Sequence, residues 1–131
     1  KTISAQRNIL IDLLQKPIAE LVHKLSPDID NVEQLEKQLQ YAFPVFQYCK
    51  YLYVMDAQGI QLTSTLSRDS ADNKSLGRDR SQRPYMQYDS TKNNFSLSEA
   101  YISKHNKRPS ITAIHSIKDL KNQANGCLGL L

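Results

Sequence analysis

The spacing of apolar residues changes once along the chain, near Tyr48, and this change limits the possible folds. Before that point, apolar residues recur every three or four positions, which is the period of an amphipathic helix. After it, they alternate with polar residues or run together, as in half-buried and fully buried strands. The sequence therefore predicts an α+β protein with helices in its first third and a sheet in the remainder.

The helical third contains two predicted helices. The first spans about residues 2–25, and its apolar stripe consists of Leu10, Leu13, Leu14, Ile18, Leu21, Val22 and Leu25. Pro17 lies inside this helix and is expected to kink it rather than end it, because the apolar period resumes in phase. Asp30 or Asn31 is expected to cap a second helix, which packs on the first and ends before Pro44.

The remainder of the chain predicts five strands. Residues 51–55 and 60–64 flank turn residues that end at Gly59, so they predict a hairpin. A polar loop at 67–75 follows. Three further strands are expected at 95–103, with a break near Ser98, at 110–117 and at 126–131. The predicted architecture is a five-stranded, antiparallel-type, PAS-like sheet in which the first and last strands are central, parallel neighbours.

Five segments in a fixed order carry a family resemblance, and Arg83-Pro84-Tyr85 is the most specific part of them. The segments are Tyr53–Gly59 (YVMDAQG), Gly77–Met86 (GRDRSQRPYM), Leu97–Ser103 (LSEAYIS), Pro109–Thr112 (PSIT) and Gly126–Gly129 (GCLG). Behind an amphipathic helix, they resemble the Cache (PDC) sensor domains of bacterial signal-transduction proteins over residues 31–131.

The resemblance implies one ligand-sensing module over residues 1–131, with residues 1–25 as the long first helix and 31–131 as the sensor core. It further implies an extracytoplasmic, periplasmic domain of an inner-membrane protein, although some similar domains are cytoplasmic. The implied output domain is a chemoreceptor, a kinase or a cyclic-di-GMP protein. The chain begins at Lys1 and has no apolar run of about 20 residues, so we expect a fragment whose membrane segments lie outside it.

The candidate ligand contacts centre on Arg83, because a guanidinium pairs with a carboxylate through two parallel hydrogen bonds. Tyr85 and Tyr101 offer ring faces and hydroxyls that suit a ligand with an apolar body and polar ends. Ser103 follows Tyr101 by two residues and faces the same side of a strand. Thr112 is assigned to the same pocket. Further possible contacts are Met86, His115 and Asp79.

Each candidate also has a purely structural interpretation. Arg83 could form a salt bridge with Asp79 that fixes the loop, while Tyr85 and Tyr101 could be core or sheet aromatics. Met86 is the type of residue that fills a core. A strand histidine such as His115 is more often a packed residue than a metal ligand, and Thr112 and His115 cannot share one face of a regular strand because their spacing is odd.

The sequence departs from the amino-acid-binding members of the family at two positions. Those members usually carry an acidic residue two positions after the tyrosine that Tyr101 matches, and another after the final strand motif, and both hold the ligand's ammonium group. Here the first position is Ser103 and the second falls near Leu130 or Leu131. A buried ammonium without a carboxylate loses several kcal/mol of solvation. We therefore expect an organic acid or an uncharged metabolite rather than an amino acid.

Other function classes find little support in the sequence. Lys plus Arg number 17 against 13 Asp plus Glu, and the basic residues are scattered, so nucleic-acid binding is not expected. No nucleophile elbow or phosphate loop is present, which argues against an enzyme, and we expect no metal and no cofactor. The stronger alternative is a dimerisation or scaffold module without a ligand, because the long first helix could pair with itself. A homodimer through that helix is expected for the sensor as well.

The two cysteines, Cys49 and Cys127, are too far apart in sequence for a CxxC redox pair or a zinc knuckle. They predict either one long-range disulfide or two buried thiols. Central, parallel first and last strands would bring them close together, so a disulfide is possible in an oxidising compartment.

Overall fold

The computed structural model describes residues 2–46, 49–67, 71–83, 86, 95–98, 101–102, 109–118 and 124–130. Helix α1 spans Thr2–Leu25 and helix α2 spans Val32–Ala42. The strands are β1 (Leu52–Asp56), β2 (Thr65–Leu66), β3 (Ala71–Asp72), β4 (Phe95–Leu97), β5 (Tyr101–Ile102), β6 (Pro109–Ser110), β7 (Ala113–Lys118) and β8 (Ala124–Leu130).

Helix α1 continues through Pro17, and its C-terminal half packs on the sheet. Its buried residues are Ile18, Leu21, Val22 and Leu25, with Ile11 and Leu14 packed partly against the same core. The predicted stripe is wrong at Leu13, which is 58% exposed. Leu13 lies about 100° around the helix from Leu14, so it faces away from the sheet. The side chain of Leu10 lies outside the described residues.

Helix α2 begins at an asparagine cap. The Asn31 side chain accepts a hydrogen bond from the Gln34 N–H at 3.2 Å, so Asn31 rather than Asp30 is the cap. Leu35 and Leu39 are fully buried and join α2 to the core around α1. Pro44 lies in the short 3₁₀ turn that directly follows the helix. The two predicted helices are thus confirmed.

The main sheet has the strand order β3-β2-β1-β8-β7-β4, and each neighbouring pair is antiparallel. The α+β class and the central position of the first and last strands are confirmed. The predicted parallel direction is wrong, because Leu52 pairs with Leu130 while Asp56 pairs with Gly126. The described sheet has six strands rather than five because β3 extends its edge, and β5 and β6 form a separate two-stranded ladder.

The predicted hairpin contains a bulge. Residues 60–64 do not form a regular strand, since both Leu62 and Thr63 direct their N–H groups to the Val54 carbonyl oxygen, at 2.8 and 3.4 Å. The Thr63 hydroxyl accepts from the Val54 N–H at 3.0 Å and so replaces a backbone partner. Regular pairing resumes where Leu66 meets Leu52.

Candidate functional site

The two faces of the central sheet are covered by different parts of the chain. Leu52, Val54, Ala113 and Ile117 face the helices and belong to their core. The intervening residues face the other way and are equally buried: Tyr53, Met55, Ile114 and Ser116 are each at most 1% exposed. We call this second side the pocket face. Because the helices lie on the opposite side, another part of the chain must exclude water from it.

The segment from Gly77 to Arg83 is fastened beside the pocket face by backbone hydrogen bonds. Gln61 donates to the Arg78 carbonyl oxygen at 2.9 Å, and its own carbonyl accepts from Gly77 at 2.9 Å. Arg80 donates to the Gly59 carbonyl oxygen at 2.8 Å. These bonds, with a bridge between Ile60 and Asp79, hold the segment against residues 59–61 like a short additional strand. The segment that carries Arg83 is therefore built onto the β1 turn.

The side chain that reaches inward from this segment is Arg80, which the sequence analysis did not select. It is only 8% exposed, and its guanidinium carbon lies 4.4 Å from the centroid of the Tyr53 ring. A guanidinium at that distance is attracted by the ring electrons, and the attraction increases when water is excluded. Residues 77–83 (GRDRSQR) contain no apolar residue, so any side chain that they bury must be polar. The lack of apolar residues in this segment was the sequence signal for a buried polar side chain.

A buried glutamine links Arg80 to the bulge. The Arg80 Nε donates to Gln61 Oε1 at 2.6 Å. The Gln61 amide nitrogen in turn donates to the Thr63 carbonyl oxygen at 2.8 Å and to the Thr65 hydroxyl at 2.9 Å. Gln61, Thr63 and Thr65 are all buried. The partners of Arg80 are thus themselves held in place by hydrogen bonds, which fixes the guanidinium within a low-dielectric region.

Arg83 lies at the end of the same segment and is half-buried. Its N–H donates to the Arg80 carbonyl oxygen at 3.0 Å, and its carbonyl accepts from the Met86 N–H at 3.0 Å. Met86 is also half-buried. The Arg83 backbone is therefore held by one hydrogen bond on each side of the residue.

Asp79 is engaged by its neighbour Ser81 rather than by Arg83. Its carboxylate accepts from the Ser81 hydroxyl at 2.7 Å and from the Ser81 N–H at 2.9 Å. These two bonds, the hydroxyl's first, favour the charged form and lower the pKa of Asp79. Asp79 is exposed, so it acts as a turn residue at the surface. The predicted salt bridge between Asp79 and Arg83 is not among the contacts of the described part of the chain.

Thr112 and His115 lie on opposite faces, as their odd spacing predicts. Thr112 is fully buried; its N–H donates to the Ser98 hydroxyl, and its carbonyl accepts from the Ser98 N–H, both at 2.9 Å. His115 pairs in register with Phe95 on the helix side, with ring centroids 6.4 Å apart. Its Nδ1 lies 2.7 Å from the Ser116 carbonyl oxygen. His115 therefore belongs to the packing on the helix side of the sheet rather than to the pocket face.

Three predicted contacts are not tested by the geometry. Tyr85 and Ser103 lie outside the described residues, and so does the side chain of Tyr101. The backbone of Tyr101 pairs with Ser110 in the small ladder of β5 and β6. The ligand roles of these residues remain predictions.

The strand register does not support the disulfide. Cys127 pairs with Met55, six residues after Cys49, and a bonded pair requires Cα atoms within about 7 Å. The residues from Leu52 to Met55 alone advance about 10 Å along the strand. Cys49 is buried, and its thiol lies 3.0 Å from the Tyr51 carbonyl oxygen. The antiparallel direction thus removes the reason for expecting the bond.

A concave surface lies between the two helices, on the opposite side of the sheet from the pocket face. It has a volume of about 360 Å³. Its lining includes Leu21, Phe46, Tyr41, Val45 and the two lysines Lys24 and Lys37. Tyr41 and Val45 are 89% and 66% exposed. Within the described ranges, no three His, Cys, Asp or Glu side chains group as metal ligands, and no helix is long and apolar enough to span a membrane.

Comparison with known proteins gives matches among solved structures only, since no protein-family model and no curated protein matches the chain. The extracellular ligand-binding receptor of Desulfohalobium retbaense DSM5692 is 18% identical, with a TM-score of 0.74 over 98% of this chain and 23% of that one. The ligand-binding domain of the Campylobacter jejuni chemoreceptor Tlp3, solved with 4-methylisoleucine, is 14% identical, with a TM-score of 0.68 over 98% and 52%.

The ligand-binding domain of the Pseudomonas aeruginosa PAO1 amino acid chemoreceptor PctB, solved with L-Arg, is 18% identical, with a TM-score of 0.65 over 95% of this chain and 49% of that one. This chain thus spans from about a quarter to about half of the structures that it resembles. At these identities the comparison establishes the fold. The chain has the fold of the Cache (PDC) sensor domains that its sequence resembles.

Proposed function

We propose that this chain is the ligand-binding module of a signalling receptor and that it binds a small molecule at the segment ending in Arg83. The observation that carries the proposal is the pocket face. This side of the sheet is buried although the helices cover the other side, and the segment beside it carries a half-buried arginine. A ligand that prefers one arrangement of this segment would shift the population of the module, which is sufficient for signalling. The module itself is not an enzyme.

The proposed ligand is an organic acid or an uncharged metabolite. Arg83 would pair with the carboxylate of the ligand. The rest of the ligand would be surrounded by Tyr85, Tyr101, Ser103 and Thr112. The solved relatives named above include receptors bound to amino acids, so an amino acid is the natural competitor. Ser103 stands where an ammonium partner is expected. Among the described residues, the buried side chains of the pocket face include no carboxylate either.

The test is a thermal-shift screen followed by calorimetry. The panel contains acetate, propionate, pyruvate and succinate, with alanine, valine, asparagine and arginine as the amino-acid set. We expect at least one carboxylate to bind and Arg83→Ala to weaken it by roughly 10- to 100-fold, the effect of losing a charge-assisted pair. Arg78→Ala is the matched control, because Arg78 is exposed and its hydrogen bonds to Gln61 and Ser75 are made by its backbone carbonyl and N–H groups.

Two results would contradict this function. Tight binding of amino acids without a response to any organic acid would refute the ligand class. Equal binding by the Arg83→Ala and Arg78→Ala variants would refute the role of Arg83.

The second candidate function is a dimerisation module, and the exposed apolar residues of α1 favour it. Ile9 and Leu13 are 60% and 58% exposed and lie four residues apart on one helical face. A homodimer through this face would serve either a scaffold or a sensor. Sedimentation analysis of the wild type beside Leu13→Ser measures it, and ligand-dependent stabilisation separates a sensor from a pure scaffold.

The proposed setting is extracytoplasmic, with any membrane attachment and the output domain outside these 131 residues. The solved relatives include extracellular and periplasmic domains. Reporter fusions to the full-length receptor in its native host test the setting. An active cytoplasmic reporter, together with an inactive periplasmic one, would place the module inside the cell instead.

A further inference from the structure

The position of Arg83 depends on the residue three places before it. The Arg83 N–H donates to the Arg80 carbonyl oxygen at 3.0 Å, so a movement of the Arg80 backbone carries Arg83 with it. The described side chains next to Arg80 point to the surface, since Asp79 and Gln82 are exposed and Ser81 bonds to Asp79.

The side chain of Arg80 is the inward anchor of this segment. It is 92% buried, with the guanidinium carbon over the Tyr53 ring and Gln61 accepting from Nε. Tyr53 belongs to β1, the strand that pairs with β8 at the centre of the sheet. Gln61 belongs to the bulged arm of the hairpin and is held by Thr63 and Thr65. Arg80 thus ties the surface segment to two separate elements of the core.

We infer that Arg80 is a positioning residue, whose cation over Tyr53 and whose hydrogen bond to Gln61 hold Arg83 at the edge of the pocket face. The step from position to ligand binding rests on the proposed function of Arg83, but the anchoring itself does not. Arg80 keeps the segment ordered before the ligand binds, so that binding does not have to order a loop around Arg83.

A plain packing role for Arg80 makes a different prediction. If the arginine stem only fills space, methionine has the right length and is the better replacement, while a buried lysine is the worse one. If the cation and its hydrogen bond do the anchoring, lysine retains the attraction to Tyr53 and restores part of the function. The order of the two variants therefore separates the two roles.

The experiment is amide hydrogen exchange by NMR on the ligand-free protein, compared among the wild type, Arg80→Met, Arg80→Lys and Arg78→Met. Four amides report on the segment, namely those of Gln61, Gly77, Arg80 and Arg83, because the first three donate hydrogen bonds between the segment and residues 59–61 and the fourth donates within the segment. The β1 amides that pair with β8 report on the core. Arg78→Met removes an exposed cation from the same segment and is the matched control.

We expect the four segment amides to exchange about 10-fold faster or more in Arg80→Met and less than that in Arg80→Lys, with the β1 amides and Arg78→Met unchanged. Exchange within twofold of wild type in Arg80→Met, or equal acceleration in both Arg80 variants, would overturn the inference. If Arg80→Met does not fold, Arg80→Gln, which also removes the cation, takes its place in the comparison with Arg80→Lys: faster exchange in Arg80→Gln than in Arg80→Lys supports anchoring, and equal exchange contradicts it.

Because this measurement needs no ligand, it separates the inference from the proposed function. If the wild type binds no carboxylate but Arg80→Met loses protection at the four amides, the anchoring role of Arg80 is supported and only the ligand proposal is refuted. If the wild type binds succinate through Arg83 but Arg80→Met shows no change at the four amides, the proposed function is supported and the anchoring role of Arg80 is refuted.

Discussion

Replacing Gly59 with alanine should loosen the attachment of the Arg83 segment. Gly59 closes the turn after β1, with its N–H donating to the Asp56 carbonyl oxygen at 3.1 Å and a backbone φ of +89°. A methyl group added there would lie 3.0 Å from the backbone nitrogen and Cα of Ser81. The Ser81 backbone or the turn must therefore move by a few tenths of an ångström to accept the methyl group.

The size of the effect follows from a matched glycine. Gly77 has a similar φ of +77°, but an added methyl group would meet nothing within 4 Å. Gly77→Ala should therefore cost only the positive-φ penalty, about 1 kcal/mol after the loss of unfolded-state entropy is counted. Gly59→Ala adds a close contact with backbone, for a total of about 3 kcal/mol. The difference of about 2 kcal/mol measures how tightly residues 59 and 81 are packed.

Thermal unfolding of both variants measures the difference. For a chain of 131 residues, 1 kcal/mol corresponds to about 4 °C in Tm, so we expect decreases of about 12 °C for Gly59→Ala and about 4 °C for Gly77→Ala. Equal decreases, or a larger one for Gly77→Ala, would refute the reasoning. Either result would mean that Ser81 does not approach the Gly59 turn in solution.

Three further predictions concern the hairpin, the Asp79 turn and helix α1. Thr63→Val should lower the unfolding free energy by about 1–3 kcal/mol in urea titration, and Thr63→Ser by less, because valine leaves the buried Val54 N–H without its hydroxyl acceptor. Ser81→Ala should raise the NMR-measured pKa of Asp79, because the mutation removes the hydroxyl that bonds to the carboxylate. The pKa of Asp79 is lowered in the folded state, so the stability that the charged carboxylate contributes is present above about pH 4 and is lost as the pH falls through the lowered pKa. Leu13→Ser should change the unfolding free energy by less than about 0.5 kcal/mol at dilute concentration and weaken any dimer seen by sedimentation.

The elements that the sequence predicted well are those whose limits depend on local chemistry. Helix α2 begins at an asparagine cap and ends near Pro44, and both signals act within a few residues. Strand β1 is a continuous apolar run because both of its faces are buried. The direction of β8 beside it was predicted wrongly, because apolar periodicity indicates which residues are buried but not which way a strand runs.

The buried polar residues were the main omission. Charged side chains are usually exposed, so Arg80 was not selected as a buried residue, although it is buried against Tyr53. Its burial depends on Gln61, which alternation alone would place in an ordinary half-buried strand. Such a pair becomes favourable only when a bulge and a turn bring its members together. That arrangement is tertiary and has no local sequence signal.

The hairpin bulge sets a rule for which deletions the protein can tolerate. Between the Met55–Gln61 bridge and the Leu52–Leu66 pair, β1 advances three residues while the opposite arm advances five. The surplus is two, an even number, so Leu66 still faces the helix core and Thr65 still faces Gln61. Removing one residue from 62–64 would reverse both orientations, whereas removing two would preserve them. Natural length variation at this hairpin should therefore occur in steps of two residues.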